Sequence, residues 1–325
     1  TAGKATTFQP NIEAITLKTG IEYDEVQVAA IKQAVNSKVM VLTGGRGTGK
    51  TTTTQGIIAA LKGMGLKILL AAPTGRAAKR MSEATGMEAK TIHRLLEYNP
   101  ADGYKRNDEN PIEGDVLIVD ECSMIDILLM NNLVKALPEH IRLILIGDID
   151  QLPSVGAGNV LRDIIESDRV PVVRLTRIFR QAQTSRIVMN AHAINEGKFP
   201  NISNGMNTDF FFIKNDDADS VATSIIDPVK NRLPKGYKVP ISSIQVLTPM
   251  QRGVVGSSNL NLALQEALNP TKEGLSRGGY SYRKGDRVMQ IRNNYDKEVF
   301  NGDLGYVESI NMEDRTLMVN FDDRM

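Results

Sequence analysis

The chain has 325 residues, enough for two or three domains and a sizeable core. Apolar residues make up 41% and charged residues 24%, a globular balance, and a net charge of only +1 excludes bulk attraction to a polyanion, so any nucleic-acid surface has to be a local basic patch. A single cysteine, Cys122, excludes an intramolecular disulfide and suits a reducing, cytoplasmic setting; no signal-peptide pattern is read, and no apolar run approaches the roughly 20 residues of a membrane span.

Residues 1–20 lack strong periodicity and read as a tail or the remnant of a preceding domain. A helix is expected over 24–36, with Val28, Ile31 and Val35 on one face. KVMVL (38–42) is a β-branched apolar run that reads as a buried strand, and TTTTQGIIAALKGMG (51–65) reads as a helix with Ile57, Ile58 and Leu61 inward. KILLAAP (67–73) is a second buried strand, followed by a helix over 75–86 that Gly86 ends and a short helix over 91–98. Residues 99–115 are polar and rich in turn formers, an insertion or hairpin.

VLIVDE (116–121), RLILIGD (142–148) and VVRLT (172–176) are the third to fifth strands, separated by helices over 125–137 and 157–167. Such alternation predicts an α/β fold, a parallel sheet with helices on both faces. A helix over 178–197, strands at 209–214 and 243–249 and a helix over 218–232 repeat the pattern, so a second α/β domain is expected from about 181. From about 280 apolar and polar residues alternate around Gly-Asp turns, the pattern of short antiparallel strands in a small barrel.

Between the first strand and its helix lies GGRGTGKT (44–51), which fits the phosphate-loop spacing with Gly44, Gly49, Lys50 and Thr51 at the fixed positions. A triphosphate has to be held without bulky side chains in the way, and glycines such as Gly45, Gly47 and Gly49 let backbone N–H groups face its oxygens. The helix start adds its positive end, Lys50 a mobile charge, and the Thr51 hydroxyl a ligand for Mg²⁺. Thr48 and Thr52 complete the set expected to hold ATP.

Asp120 and Glu121 end the third strand, where such sheets bind ligands. Asp120 is expected to hold Mg²⁺ and Glu121 to polarise the attacking water; together with the loop they indicate an NTPase. By chemistry alone other positions stay open. Gln151, in the turn after Gly147-Asp148, is a γ-phosphate contact or ordinary loop. Arg177 and Arg180 are phosphate-neutralising arginines or a solvated face. Thr74, Arg76 and Thr91 have groups that meet a phosphate backbone, whereas His93 is a DNA contact or a packed histidine. No Cys/His cluster has zinc spacing.

In order, GGRGTGKTT, APTGRAAKR, TIHRLL, LIVDECSM, GDIDQLPSVGAGNVL, LTRIFRQ, VLTPMQRG and KGDRVMQIRNNY…VFNGDLG resemble the motifs of a RecD-like superfamily 1 DNA helicase, from about residue 20 onward. The resemblance implies two RecA-like motor domains: the first over 21–180, with a strand-splitting hairpin at about 98–114; the second over 181–279; and the start of a barrel insertion over 280–325. It implies ATP hydrolysis coupled to 5′→3′ movement on single-stranded DNA and at single-strand/duplex junctions, with Mg²⁺ as cofactor. Gln27 then reads the adenine edge, Gln151 senses the γ-phosphate and Arg180 contacts it. Thr74, Arg76, Thr91 and His93 contact DNA from the first domain, and Thr248 and Arg252 from the second. The family's late "VHKSQG"-like segment and the arginine-bearing helix after it do not occur in these residues, so the second motor domain is expected to be partial.

Overall fold

A computed structural model describes residues 7–294 and 296–321 of the chain. Helices α1 (Ile12–Thr19) and α2 (Glu25–Asn36) precede strand β1 (Val39–Gly44), followed by α3 (Lys50–Gly63), β2 (Ile68–Ala72), α4 (Gly75–Thr85), β3 (Ala89–Thr91) and the single turn α5 (Ile92–Leu95). A hairpin of β4 (Tyr98–Asn99) and β5 (Gly103–Tyr104) comes next. Then come β6 (Val116–Val119), α6 (Ile127–Lys135), β7 (Arg142–Gly147), α7 (Val160–Glu166), β8 (Val172–Leu175), α8 (Arg180–Gln183) and α9 (Arg186–Asn195).

Six of these strands form one parallel sheet in the order β3-β2-β6-β7-β1-β8. Their alternating side chains divide the core. Met40, Leu42, Leu70, Ile118 and Ile144 pack toward α1–α3, while Val41, Ala71, Leu117, Val119 and Leu145 pack toward α5–α7. Burial on both faces, about 2 kcal/mol for each large aliphatic side chain, is why these strands read as unbroken apolar runs. Since all six run the same way, their C-terminal ends share one edge.

Several boundaries differ from the sequence reading. Residues 12–19 form a helix, capped by Asn11 and stopped by Gly20 in the left-handed conformation, with Ile15 buried against α2 and α3; residues 1–6 of the expected tail lie outside the described residues. The helix expected over 91–98 ends at Leu95, since Tyr98 and Asn99 pair with Tyr104 and Gly103. The helix expected over 178–197 breaks at Ser185, which caps α9 with help from Asp209, whose carboxylate accepts from Ser185 Oγ and the Arg186 and Ile187 N–H groups. These hydrogen bonds hold the Asp209 carboxyl below its ordinary range, that from Ser185 most of all.

The first unit runs through Phe211 and the second begins at Phe212, later than the expected boundary at 180/181, because α8 and α9 pack within the first unit. Residues 209–214 and 243–249 form no strand among the described residues. Asp209 is committed to capping α9, and 247 lies in open chain with its leucine 87% exposed.

In the second unit α10 (Ala218–Asp227) continues past Pro228 as a π-helical segment to Gly236, and α11 (Ser257–Leu268) precedes β9 (Gly274–Arg277) and β10 (Tyr280–Arg283). Strands β11 (Arg287–Met289), β12 (Leu304–Asn311) and β13 (Thr316–Asn320) follow; β9–β10 and β11–β12–β13 are antiparallel sheets, so the small-strand region starts a little before 280. The expected Gly-Asp turns are present: Gly285 and Gly302 take φ of 90° and 96°, and Asp286 and Asp303 accept from the Arg283 and Phe300 N–H groups. No helix among the described residues is long and apolar enough to cross a membrane.

Candidate nucleotide site

The phosphate loop leaves the sheet at Gly44, where β1 lies between β7 and β8. Gly47 and Gly49 have φ of 79° and 83°, a conformation that strains any residue with a Cβ. Thr48 is buried and donates from Oγ1 to the Gly45 carbonyl at 2.6 Å, which tightens the turn. Among the described residues the N–H groups of Arg46, Gly47 and Gly49 make no hydrogen bond, so these backbone donors are left for a ligand. Helix α3 starts at Lys50; Thr51 is exposed on its first turn, and Thr52 donates back to the Gly49 carbonyl at 3.0 Å.

The loop has a neighbour that its sequence does not disclose. A Cβ on Gly45 would lie 2.8 Å from His192 Cε1, one on Gly47 2.5 Å from Ala182 Cβ, and one on Gly49 2.7 Å from Phe179 Cε2. The Phe179 N–H donates to the Gly47 carbonyl at 3.0 Å, and His192 Nε2 lies 2.9 Å from the Arg46 carbonyl. Glycine is therefore needed at these positions for packing. The sequence reading singled out LTRIFRQ for Arg177 and Arg180 alone; Phe179, Ala182, Val188 and His192 carried no signal of this wall.

Gln27 is 2% exposed, and both ends of its amide are engaged. Its carbonyl accepts from the Asp24 N–H in a capping box, and its Nε2 donates to Thr52 Oγ1 at 3.1 Å and Thr53 Oγ1 at 3.0 Å. Arg177 pairs with Asp24 at 3.8 Å and lies over the Phe179 ring at 5.6 Å. Arg180 is exposed at the start of α8.

Asp120 and Glu121 follow β6 at the same sheet edge. Asp120 Oδ1 accepts from the Glu121 N–H at 2.7 Å, and Glu121 takes the left-handed conformation, φ 53°, before the chain turns into residues 122–124. Burial raises the affinity of the Glu121 carboxyl for a proton, and the Asp120 charge raises it further; Lys50 and Arg80 oppose this, and Asp148 adds to it. Lys50 and Asp120 thus both act on Glu121, and Arg80, on α4, does so too without having been singled out by sequence. Cys122 is fully buried and its thiol is pushed far up, which makes it inert. Asp148 is buried and accepts from the Asp150 N–H, while Gln151 stands exposed in the same turn.

Among the described residues no group of three or more His, Cys, Asp or Glu side chains forms a metal cage. The exposed Thr51 hydroxyl and the Asp120 carboxylate nevertheless suit Mg²⁺, which is usually held by one or two protein oxygens together with substrate phosphates.

Thr74 and Thr91 cap α4 and α5, accepting from the Ala77 and Arg94 N–H groups, and Arg76 is exposed on α4. His93 packs with the hairpin: it stacks on Tyr104 at 6.1 Å and meets Tyr98 edge-on at 5.5 Å. Burial holds its pKa below the ordinary histidine value, opposed by Asp126. Thr248 and Arg252 belong to the second unit, where Thr248 Oγ1 donates to the Val255 carbonyl at 2.7 Å and Arg252 is exposed.

A family model described as an AAA domain matches residues 27–157, and one described as the ATP-dependent RecD-like DNA helicase SH3 domain matches 260–321. Over 309 residues the chain is 37% identical to the ATP-dependent RecD2 DNA helicase of Deinococcus radiodurans, covering 95% of this chain. The chain is RecD-like: it resembles RecD-like helicases along nearly its whole length.

It is also 29% identical, over 87% of its length, to the RecBCD enzyme subunit RecD of Haemophilus influenzae. This RecD-like chain spans 41% of the first relative and 58% of the second. The crystal structure of a Bacteroides Pif1 helicase with ADP-AlF3 and ssDNA aligns with 94% of the chain and 73% of its own length, at 19% identity and a TM-score of 0.48, too loose a likeness for a functional argument. The AAA-domain match contains Gln27, the phosphate loop, the acid pair and Gln151, whereas Arg180 and the Phe179–His192 wall lie beyond it.

Proposed function

We propose that this RecD-like chain binds ATP with Mg²⁺ and uses its hydrolysis to move 5′→3′ on single-stranded DNA, working at single-strand/duplex junctions as part of a longer helicase. The observation that carries the reading is the meeting, at one sheet edge, of an anion-ready loop with Lys50, Asp120 and Glu121, close enough that Lys50 and Asp120 act on the Glu121 carboxyl.

In this reading the Arg46, Gly47 and Gly49 N–H groups and the start of α3 cradle the phosphates, and Lys50 neutralises the outer ones. Gly45, Thr48 and Thr52 keep the loop in shape, and for Gln27 to read the adenine edge its amide exchanges the Thr52 and Thr53 hydroxyls for the base. Thr51 and Asp120 hold Mg²⁺, which supplies charge neutralisation when bound. Glu121, whose environment favours proton uptake, accepts a proton from the attacking water. Gln151 and Arg180, both exposed, contact the γ-phosphate in this reading. Thr74, Arg76, Thr91 and His93 with the hairpin form the first unit's DNA-contacting set, and Thr248 and Arg252 that of the second.

ATP hydrolysis at low salt, with and without single-stranded DNA, tests the proposal. Strong stimulation by DNA is the expected result; hydrolysis indifferent to DNA would leave an NTPase that moves no DNA. A second reading is favoured by the relatives named as subunits of the RecBCD enzyme. In it the chain is a nucleotide- and DNA-binding module of a larger recombination or repair complex, with no unwinding of its own. DNA affinity that does not respond to nucleotide would mark that case.

A further inference from the structure

We propose that His192 is a positioning residue for the phosphate loop, holding the Arg46–Gly47 peptide so that its N–H is presented to phosphate. The inference rests on the nucleotide-binding reading of the same site. A trans peptide directs its C=O and N–H to opposite sides. The Arg46 carbonyl lies 2.9 Å from His192 Nε2, so the proton on that nitrogen pins the carbonyl toward α9 and turns the Gly47 N–H away from it. That N–H makes no hydrogen bond among the described residues. One peptide further on, the Phe179 N–H pins the Gly47 carbonyl at 3.0 Å.

Two consecutive loop carbonyls are thus tied to one neighbouring segment. The glycines complete the fit. The His192 ring occupies the space that a Cβ on Gly45 would need, and Ala182 and Val188 stand 2.5 Å and 3.3 Å from the corresponding point on Gly47. A loop whose donors must converge on an anion loses affinity if it has to be ordered at the moment of binding. Pinning its carbonyls beforehand removes that cost. His192 touches neither phosphate nor base in this role and acts only through the Arg46 carbonyl.

Two variants separate the hydrogen bond from packing. His192→Phe keeps a planar ring beside Gly45 but has no donor; His192→Gln places an amide N–H near the position of Nε2. Binding of Mg·ATP and of inorganic pyrophosphate is measured by calorimetry on wild type, both variants and Lys50→Ala, with thermal unfolding of each without ligand. We expect His192→Phe to weaken both ligands about 5- to 10-fold while His192→Gln stays within about 2-fold of wild type, the scale of one hydrogen bond. Wild-type affinity in His192→Phe, or equal weakening in both variants, would overturn the inference and leave the nucleotide site standing. If wild type and Lys50→Ala bind ATP equally poorly, the site reading fails and this inference with it.

Discussion

Gln27, on the first turn of α2, donates from its side-chain amide to Thr53 Oγ1 on α3 at 3.0 Å, while the other end of the same amide accepts from the Asp24 N–H at 3.1 Å. One buried side chain thereby ties two helix N-termini together beside the phosphate loop.

Gln27→Ala is therefore expected to cost stability even without nucleotide, about 1–2 kcal/mol for the lost capping box and the buried hydroxyls left without their donor. Urea unfolding of the ligand-free protein measures this directly. An unchanged midpoint would reduce Gln27 to a base contact alone.

Lys50→Ala should lower ATP turnover at least about 100-fold, since a charge aimed at the transferring phosphoryl group is lost. The fold should be retained: Lys50 is the first residue of α3 and belongs to none of the three buried clusters. Steady-state hydrolysis together with circular dichroism checks both halves, and normal turnover would remove the loop from the mechanism.

Glu121→Gln should arrest hydrolysis and also stabilise the ligand-free protein at neutral pH. The sign follows from burial and the Asp120 charge, which raise the folded-state pKa of Glu121 above its unfolded value. Folding then takes up a proton between the two values, so stability falls as pH rises through that window and the full cost is present at neutral pH. Glutamine removes it, so Tm at pH 7 should rise. The gain should vanish below the glutamate range; a gain independent of pH would point to another cause.

The His93 imidazole, packed between Tyr98 and Tyr104, should titrate below an exposed histidine, because burial disfavours its charged form. The unfolded chain then binds its proton first, and stability is lost as pH falls through the ordinary histidine range. Tyr104→Ala opens one face of the ring and should move the NMR titration of His93 upward, with about 1 kcal/mol of stability lost from the aromatic pair at the hairpin base. An unmoved titration would mean that the hairpin does not shield His93.

What the sequence determined by itself was local and periodic. The runs at 38–42, 67–73, 116–121, 142–148 and 172–176 are apolar on both faces because helices cover both, so the parallel sheet was legible without contacts, as was the glycine-rich turn between β1 and α3. Asp120 and Glu121 were legible because each strand's C-terminal end has to lie on the shared edge. Tertiary structure alone decided what no run of residues encodes. Ile15 makes residues 12–19 part of the core, although eight residues are too few for a strong period. Residues 209–214 are apolar enough for a strand, yet Asp209 is spent on capping α9 and no ladder forms. The wall of Phe179, Ala182 and His192 against the phosphate loop joins segments 130 or more residues apart, His192 and Arg46 being 146 apart. Such a contact leaves no periodicity in the chain, and arises only when β8 is laid beside β1 in the sheet.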